Sequence, residues 1–496
     1  MAEISTQQKD GDLLNKGIRR TPKPPLHAGA EIWGTAQAAH LFMRAAFGGT
    51  QAEIGMLGSL PREEALNLLL ADAPLPPPPG AWVSEPYITE GLTQEQLMEL
   101  QRLNRERIDQ LINWWVELMR GALYNLREKM ALFWHGHFAT EADVVNLAQW
   151  LFIHTDMLRR NTLGNFRTFL KEMWKDPAIL IYLDGNQNNR IHPNENFARE
   201  LLELFTMGVG NYTEQDIKEA ARAFTGWRVD RTTLTSYFVP NRYDSSVKTF
   251  LGQSGNFDGD AIIDIILQQS VTATFICHKL YQFFVSPEVD DTRVTALADI
   301  FRNNDYEIKP VLRAMFESDY FYDENSVGVI IKSPVHLTIS SVRQFAATTV
   351  DPTYMFVASR LLDQILLDPP NVAGWPGQRA WISPTTLALR GAYGETVIKG
   401  GNINRPNANP DRVKPIVVDA MAFARSFGVN KARELLDKWI EHLLPFGVDE
   451  NSKEFLLSVL IETADENDWS LDYPGADVRV KNCLTQIVRL PEFQLT

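Results

Sequence analysis

One stretch decides the fold class: residues 92–121 have the sequence LTQEQLMELQRLNRERIDQLINWWVELMRG. Thr93 and Gln96 form a capping box, the pattern of a helix start. Apolar residues then recur at helical spacing, namely Leu97, Leu100, Leu103, Ile108, Leu111, Trp115 and Leu118. This spacing predicts a long amphipathic helix.

Similar helical patterns, separated by short loops, continue on both sides of this stretch. One segment differs, because residues 227–252 are rich in Thr, Val, Tyr and Phe with turn residues between them. That composition predicts a small β-hairpin. We therefore expect an all-α fold, a large multi-helix domain with a hairpin insert near 227–252.

The expected chain organisation has three parts. Residues 1–30 are polar and form a flexible N-terminal arm, 31–400 form the main helical domain, and 401–496 form a helical region that packs on it. Four consecutive prolines within 74–86 predict a stiff polyproline II connector. A Pro-, Gly- and Asn-rich linker at 399–415 precedes the last part.

Composition and charge exclude several classes of protein. The net charge is −14, from 48 Lys and Arg against 62 Asp and Glu, which disfavours binding to nucleic acid. The sequence has no apolar run long enough to span a membrane and no signal peptide, so the chain as written is expected to be cytoplasmic. The two cysteines, Cys277 and Cys483, are expected to be buried thiols.

The first candidate site is the segment FWHGHF at 133–138. Residues i and i+2 of a helix point about 200° apart, so His135 and His137 share a ligand only if the helix stops at Gly136. Glycine favours such a stop, and two converging histidines would suit a metal ion. The alternative is that the histidines cap helix carbonyls or pack beside Phe133 and Trp134.

The second candidate site is the helical segment at 191–208, where Asn194 is a candidate N-cap. A polar stripe at i+3 and i+4 spacing contains Asn196, Arg199, Glu200 and Glu203. Carboxylates one turn apart can bind a divalent cation or act as an acid and a base. His192 and Glu195 crowd the helix start. The alternative is a solvated face with an Arg199–Glu203 pair.

The third candidate site is a loop rich in Pro and Gly at 368–377, followed by Trp381. Trp375 and Trp381 would offer flat surfaces for a sugar or a similar ring. The alternative is a structural loop over the core. The sequence has no GxGxxG after a strand, no P-loop and no GxSxG, so nucleotide-binding and serine-hydrolase classes lose support.

At these clusters the chain resembles a bacterial family catalogued as domain of unknown function 1800 (DUF1800). The matching stretches include HLFMRAAFG (40–48), FWHGHF (133–138), the segment 194–227, PPNVAGWPGQRAWIS (369–383) and LPEFQ (490–494). The resemblance implies a mostly helical fold and no established activity. It also implies export, and as a partner a phosphatase- or sulfatase-like protein of the DUF1501 family.

The chain departs from the family pattern in three respects. It has no evident export signal. It has Gly136 where the family commonly has Asn, and Asn also tolerates the left-handed conformation that ends helices. It has His336 after KSPV, where the family usually has an acid.

The first functional hypothesis is a metal-dependent hydrolase acting on a carbohydrate or an anionic polymer. His135, His137 and Glu200 or Glu203 would bind zinc, iron or manganese, and the other carboxylate would be the general base. Arg199 would orient an anionic group of the substrate.

Two alternatives stay open on the sequence. A metal-free, glycosidase-like pair of carboxylates could act on a glycosidic bond. A non-enzymatic scaffold or assembly protein could use the same polar clusters as buried networks that fix helix packing. Metal content distinguishes the metalloenzyme from the scaffold.

Overall fold

The capping box and the apolar repeat at 92–121 produce a 28-residue helix, Gln94–Gly121. The two capping hydrogen bonds, between Thr93 and Gln96, form as expected at 2.8 and 3.3 Å. The computed structural model describes residues 33–121, 126–401, 416–444 and 446–496. The predicted N-terminal arm, 1–30, and most of the predicted linker lie outside the described residues.

The described residues form 22 α-helices and two small sheets, so the all-α prediction is confirmed. The first eleven helices are α1 (Thr35–Ala45), α2 (Gln51–Ser59), α3 (Arg62–Leu69), α4 (Gln94–Gly121), α5 (Leu126–His137), α6 (Ala142–Val145), α7 (Ala148–Arg160), α8 (Phe166–Met173), α9 (Pro177–Tyr182), α10 (Asn196–Glu200) and α11 (Glu214–Ala223). The others are α12 (Gly259–Leu267), α13 (Ser270–Phe284), α14 (Asp291–Asn303), α15 (Ile308–Glu317), α16 (Pro334–Gln344), α17 (Pro352–Leu361), α18 (Pro384–Lys399), α19 (Ala420–Arg425), α20 (Ala432–Leu443), α21 (Glu450–Ile461) and α22 (Ala476–Arg489). A π-helix, Leu201–Thr206, continues α10. Short 3₁₀ turns lie at Ala81–Ser84, Gly185–Gln187, Pro240–Arg242, Asp319–Tyr322, Gln378–Trp381 and Pro491–Gln494.

The predicted hairpin insert contains two antiparallel hairpins. Strand β1 (Trp227–Asp230) pairs with β2 (Thr235–Phe238), with Trp227 opposite Phe238. Strand β3 (Lys248–Phe250) pairs with β4 (Gln253–Gly255), with Lys248 opposite Gly255.

Helix α5 contributes to two hydrophobic cores. Met130 and Trp134 pack in the first core, which gathers α1–α3, α8 and α10–α15. Ala131 and Leu132 pack in the second core, which gathers α4 and α7 with the helices from α16 onward. Residues on α5 therefore lie between the two cores. The domain boundaries remain predictions.

Two further expectations concern membranes and thiols. No single helix of the described residues is long and apolar enough to cross a membrane; α12 and α13 meet the criterion only as a pair, bent by 80°. Cys277 and Cys483 are buried free thiols, as predicted.

Candidate functional site

Helix α5 runs through Gly136 to His137, so the predicted helix stop at Gly136 is wrong. The N–H of Phe138 donates to the Trp134 carbonyl at 2.7 Å, and the helical hydrogen bonding passes over the glycine. Side chains two residues apart on a helix point in different directions. His135 and His137 accordingly contact different partners and do not converge.

His135 anchors the chain that follows α17. Its Nε2 accepts a hydrogen bond from the N–H of Leu367 at 3.1 Å. Its ring packs edge-on against Trp115 and Trp375, with centroid distances of 5.3 Å in both cases. These contacts give His135 a structural role.

His137 and Lys279 cap the end of the π-helix. The carbonyls of the last turn of a helix lack partners within the helix. His137 Nε2 donates to the Phe205 carbonyl at 3.0 Å, and Lys279 Nζ donates to the Leu204 carbonyl at 2.9 Å. The alternative that a histidine caps helix carbonyls therefore holds for His137.

Gly136 lies inside α5, where the loop that carries Trp375 approaches the main chain of the helix. An ideal Cβ on Gly136 would lie 3.6 Å from the ring of Trp375. An ideal Cβ on Gly374 would lie 2.0 Å from the Gly136 carbonyl oxygen, and Gly374 has a φ of +78°. The loop that carries Trp375 thus rests directly on the main chain of α5.

Gly374→Ala is expected to destabilise the folded chain by about 2 kcal/mol, because the new methyl group overlaps the Gly136 carbonyl and a left-handed φ disfavours alanine. Gly377→Ala is the matched control, since Gly377 has a φ of +71° but no atom within 4 Å of an added Cβ. Urea unfolding of both variants measures the difference. Equal losses of unfolding free energy would contradict the proposed contact.

The polar stripe at 194–203 forms around α10, which begins at Asn196. Asn194 Oδ1 accepts the N–H of Asn196 at 2.9 Å. Arg199 pairs with Glu214 at 2.7 Å and with Glu195 at 3.5 Å, so its observed partners differ from the predicted Arg199–Glu203 pair.

Glu200 and Glu203 lie near each other where α10 becomes the π-helix. Burial and then the neighbouring Glu203 raise the pKa of Glu200. The Tyr212 hydroxyl donates to Glu203 Oε2 at 3.0 Å. Neither His135 nor His137 joins the carboxylates of Glu200 and Glu203. The described part of the chain has no group of three or more His, Cys, Asp or Glu side chains placed to hold a metal ion.

A cavity of about 390 Å³ lies beside α5. Its α5 wall consists of Lys129, Leu132, Phe133, Gly136 and His137. These positions follow the i, i+3, i+4, i+7, i+8 spacing of one helix face. The opposite walls carry Lys279 and Phe283 of α13, His336 of α16, and the predicted aromatic residues Trp375 and Trp381.

Five of the side chains that line the cavity are basic. Arg44, Lys129, His137, Lys279 and His336 all face it, and no Asp or Glu of the described residues does. Arg44 is held by main-chain oxygens, with distances of 3.1 Å to Phe284 and Val285 and 2.9 Å to Thr496, and by Ser326.

The basic groups form two lysine–histidine pairs. Lys129 Nζ lies 3.0 Å from His336 Nδ1, and Lys279 Nζ lies 3.1 Å from His137 Nδ1. An ammonium group only donates, so each Nδ1 accepts and each ring carries its proton on Nε2. His336 Nε2 is buried and makes no hydrogen bond to the described residues.

The environment of these groups disfavours their charged forms. Burial lowers the pKa of Lys279 to about 8 and is the main cause that lowers the pKa of nearby Lys332 to about 7. Burial, followed by the cations of Arg44 and Lys332, lowers the pKa of Lys129 well below its usual value. The pKa of His336 falls for the same reasons, with Lys129 as a further cation.

Sequence reasoning missed four of the five basic residues that line the cavity, because only His137 was a candidate. Arg44, Lys129, Lys279 and His336 were not among the candidate ligands. One signal was present, because Lys129 lies eight residues before His137 and therefore on the same helix face.

Comparison with known proteins identifies a family but no activity. The profile of the family described as "Protein of unknown function (DUF1800)" matches residues 40–495. No curated protein and no solved structure matches the chain.

Proposed function

The chain belongs to the DUF1800 family of proteins of unknown function, and from its geometry we propose that it binds a small organic anion in the cavity beside α5. The observation that carries the proposal is the lining: five basic side chains and no Asp or Glu side chain of the described residues. Burial disfavours the protonated forms of these groups, and a bound anion offsets the cost of a buried charge.

The donors of Lys129 support this proposal. Among the described residues, His336 Nδ1 is the only hydrogen-bond partner of Lys129 Nζ. An ammonium group has three N–H donors, so two remain for a ligand. A carboxylate or a phosphate is the acceptor that matches such a group best.

The remaining walls suit the uncharged part of the ligand. Phe133, Phe283, Trp375 and Trp381 present apolar rings to the cavity. Pockets of about 300–1,000 Å³ with apolar walls and a few polar groups are typical of small-molecule sites. An aromatic or aliphatic acid, or a phosphate ester of similar size, meets both requirements.

Benzoate and phenyl phosphate are expected to raise the melting temperature of the full chain, whereas benzamide, the uncharged analogue, is not. Lys129→Met is expected to lower the affinity for the charged probes by about tenfold or more, since a charge-assisted hydrogen bond contributes about 1.5–3 kcal/mol. Thermal shift and calorimetric titration at pH 7 measure both effects.

Lys438→Met is the matched control, because Lys438 lies on the surface and pairs with Glu441 at 2.9 Å. Lys279→Met provides a second variant in case Lys129→Met does not fold, and it should also weaken binding. Stabilisation by benzamide equal to that by benzoate, or no stabilisation by either anion, would refute the proposal.

The metal-dependent hydrolase, the metal-free carboxylate pair and the scaffold remain predictions. No observation in the described residues favours one of them over anion binding. Elemental analysis of the purified protein beside a His135→Ala/His137→Ala double variant tests the metal hypothesis directly. Metal in the wild type and not in the variant would support it.

A further inference from the structure

Lys129 differs from the other lysine of the cavity in what holds its amine. Lys279 Nζ is fixed by the Leu204 carbonyl at 2.9 Å, whereas the amine of Lys129 contacts no oxygen atom of the described residues. The rings of Phe47 and Phe283 border Lys129 Nζ, at 4.9 and 5.5 Å from their centroids. Lys129 is buried, and it lines the cavity.

The partner of Lys129 is a group that can move a proton. His336 Nδ1, 3.0 Å from Nζ, is an imidazole nitrogen and not a fixed anion. A carboxylate in this position would hold the lysine as an ammonium ion. A neutral imidazole beside two further cations, Arg44 and Lys332, allows the free amine to form instead.

We propose that Lys129 is a nucleophile that forms an imine with a carbonyl compound bearing an anionic group, such as a 2-oxo acid, bound in the cavity. The proposal rests on the anion-binding function and names its substrate class. A lysine amine in an apolar pocket next to other cations is the arrangement in which imine-forming lysines are activated.

The step balances without a further reactant. The Nζ lone pair attacks the carbonyl carbon, a C–N bond forms, and the carbonyl oxygen takes up the electron pair of the broken π bond. His336 Nδ1 receives the proton that the nitrogen loses and returns it to the oxygen. The C–O bond then breaks, and both protons of the amine leave with the oxygen as water.

Trapping with a hydride reagent tests the imine. The full chain is incubated at pH 7 with phenylglyoxylate and sodium cyanoborohydride, and peptide mapping by mass spectrometry locates the secondary amine. We expect one saturable adduct at Lys129, formed at least about tenfold faster than at exposed lysines, because each unit by which the pKa falls raises the free-amine fraction tenfold. Benzoate should compete, and benzaldehyde, which lacks the anionic group, should react without saturation.

Substitutions distinguish the role of Lys129 as a nucleophile from its role in anion binding. Lys129→Arg keeps the cation and should keep the benzoate-dependent rise in melting temperature, but it should form no adduct at position 129. His336→Gln should slow trapping, because the group that receives the proton from the amine is lost. The titratable groups around Lys129 Nζ are His336, Arg44 and Lys332. Lys438→Met should trap like the wild type.

The outcomes distinguish this inference from the function on which it rests. If benzoate stabilises the wild type but phenylglyoxylate leaves Lys129 unmodified, the imine is refuted and anion binding stands. If neither probe binds, both proposals fall. Adducts spread over exposed lysines in proportion to their exposure would also refute a nucleophilic Lys129, and this result needs no variant to fold.

Discussion

Lowering the pH from 7.5 to 5.5 is expected to reduce the free energy of unfolding by about 4 kcal/mol, about 1.4 kcal/mol for each of three buried histidines. Burial is the main cause that lowers the pKa of His135, to about 3, and the pKa of His137 and of His336 well below its usual value. These rings stay neutral in the folded chain throughout the interval.

The sign of this pH dependence follows from which state of the chain, folded or unfolded, binds the protons. In the unfolded chain the same histidines take up protons near their usual pKa of about 6.5, so acid favours unfolding. The stability is present above pH 6.5 and is lost below it. Lys332 acts in the same direction above pH 7. Glu200 and Asp368 oppose the loss of stability at lower pH, because their pKa values are raised, but both are only half-buried.

Urea unfolding at pH 5.5, 6.5 and 7.5 measures this dependence. His336→Gln should remove about a third of it, since one of three equivalent groups is lost. His192→Gln is the control, because His192 is exposed and should change nothing. A free energy of unfolding that stays constant over the interval would show that these rings are accessible to protons in the folded chain.

Arg159→Met is expected to destabilise the chain by about 3–5 kcal/mol, the usual cost of breaking a buried ion pair from one side. Arg159 holds both oxygens of Glu128, at 2.6 and 2.9 Å, and both side chains are buried. Its guanidinium also lies 4.7 Å from the ring centroid of Trp114. The pair fixes α5 against α7, and with it the wall of the cavity.

The neighbouring arginine provides the control. Arg160 pairs with Asp156 at 3.0 Å and with Glu172 at 2.8 Å on the surface, so Arg160→Met should cost at most about 1 kcal/mol. The double variant Arg159→Met/Glu128→Met should recover part of the loss, because it leaves no carboxylate without its guanidinium. Equal effects of Arg159→Met and Arg160→Met in urea unfolding would contradict the buried pair.

The helices were predictable because their signals are local. The capping box at Thr93 and the apolar repeat behind it are contained within the helix that they start. The hairpin insert was likewise found from composition, although it contains two hairpins. The end of α5 was not predictable from local sequence, because glycine taken by itself favours a helix stop. The close contact at this position is between the Gly136 carbonyl oxygen and Gly374, far away in the sequence.

The candidate site was predictable only in part. Trp375 and Trp381 were chosen from a loop composition, and both line the cavity. The basic lining was missed because Lys129, Lys279 and His336 belong to three separate helices, and none of them is part of a local pattern that suggests a site. The fold brings them together. Glu200 and Glu203 formed the more visible local pattern and lie outside the lining.

The hydrogen bond from Arg44 to the main-chain oxygen of Thr496 closes a loop of 452 positions. Contacts between such distant positions form late, because the entropy of closing the loop is lost before they contribute. Arg44 and Thr496 both line the cavity, so a chain in which this contact has not formed lacks one of its walls. Affinity for an anion would thus serve as a readout of this long-range contact, and chains that lack it would not sequester the ligand.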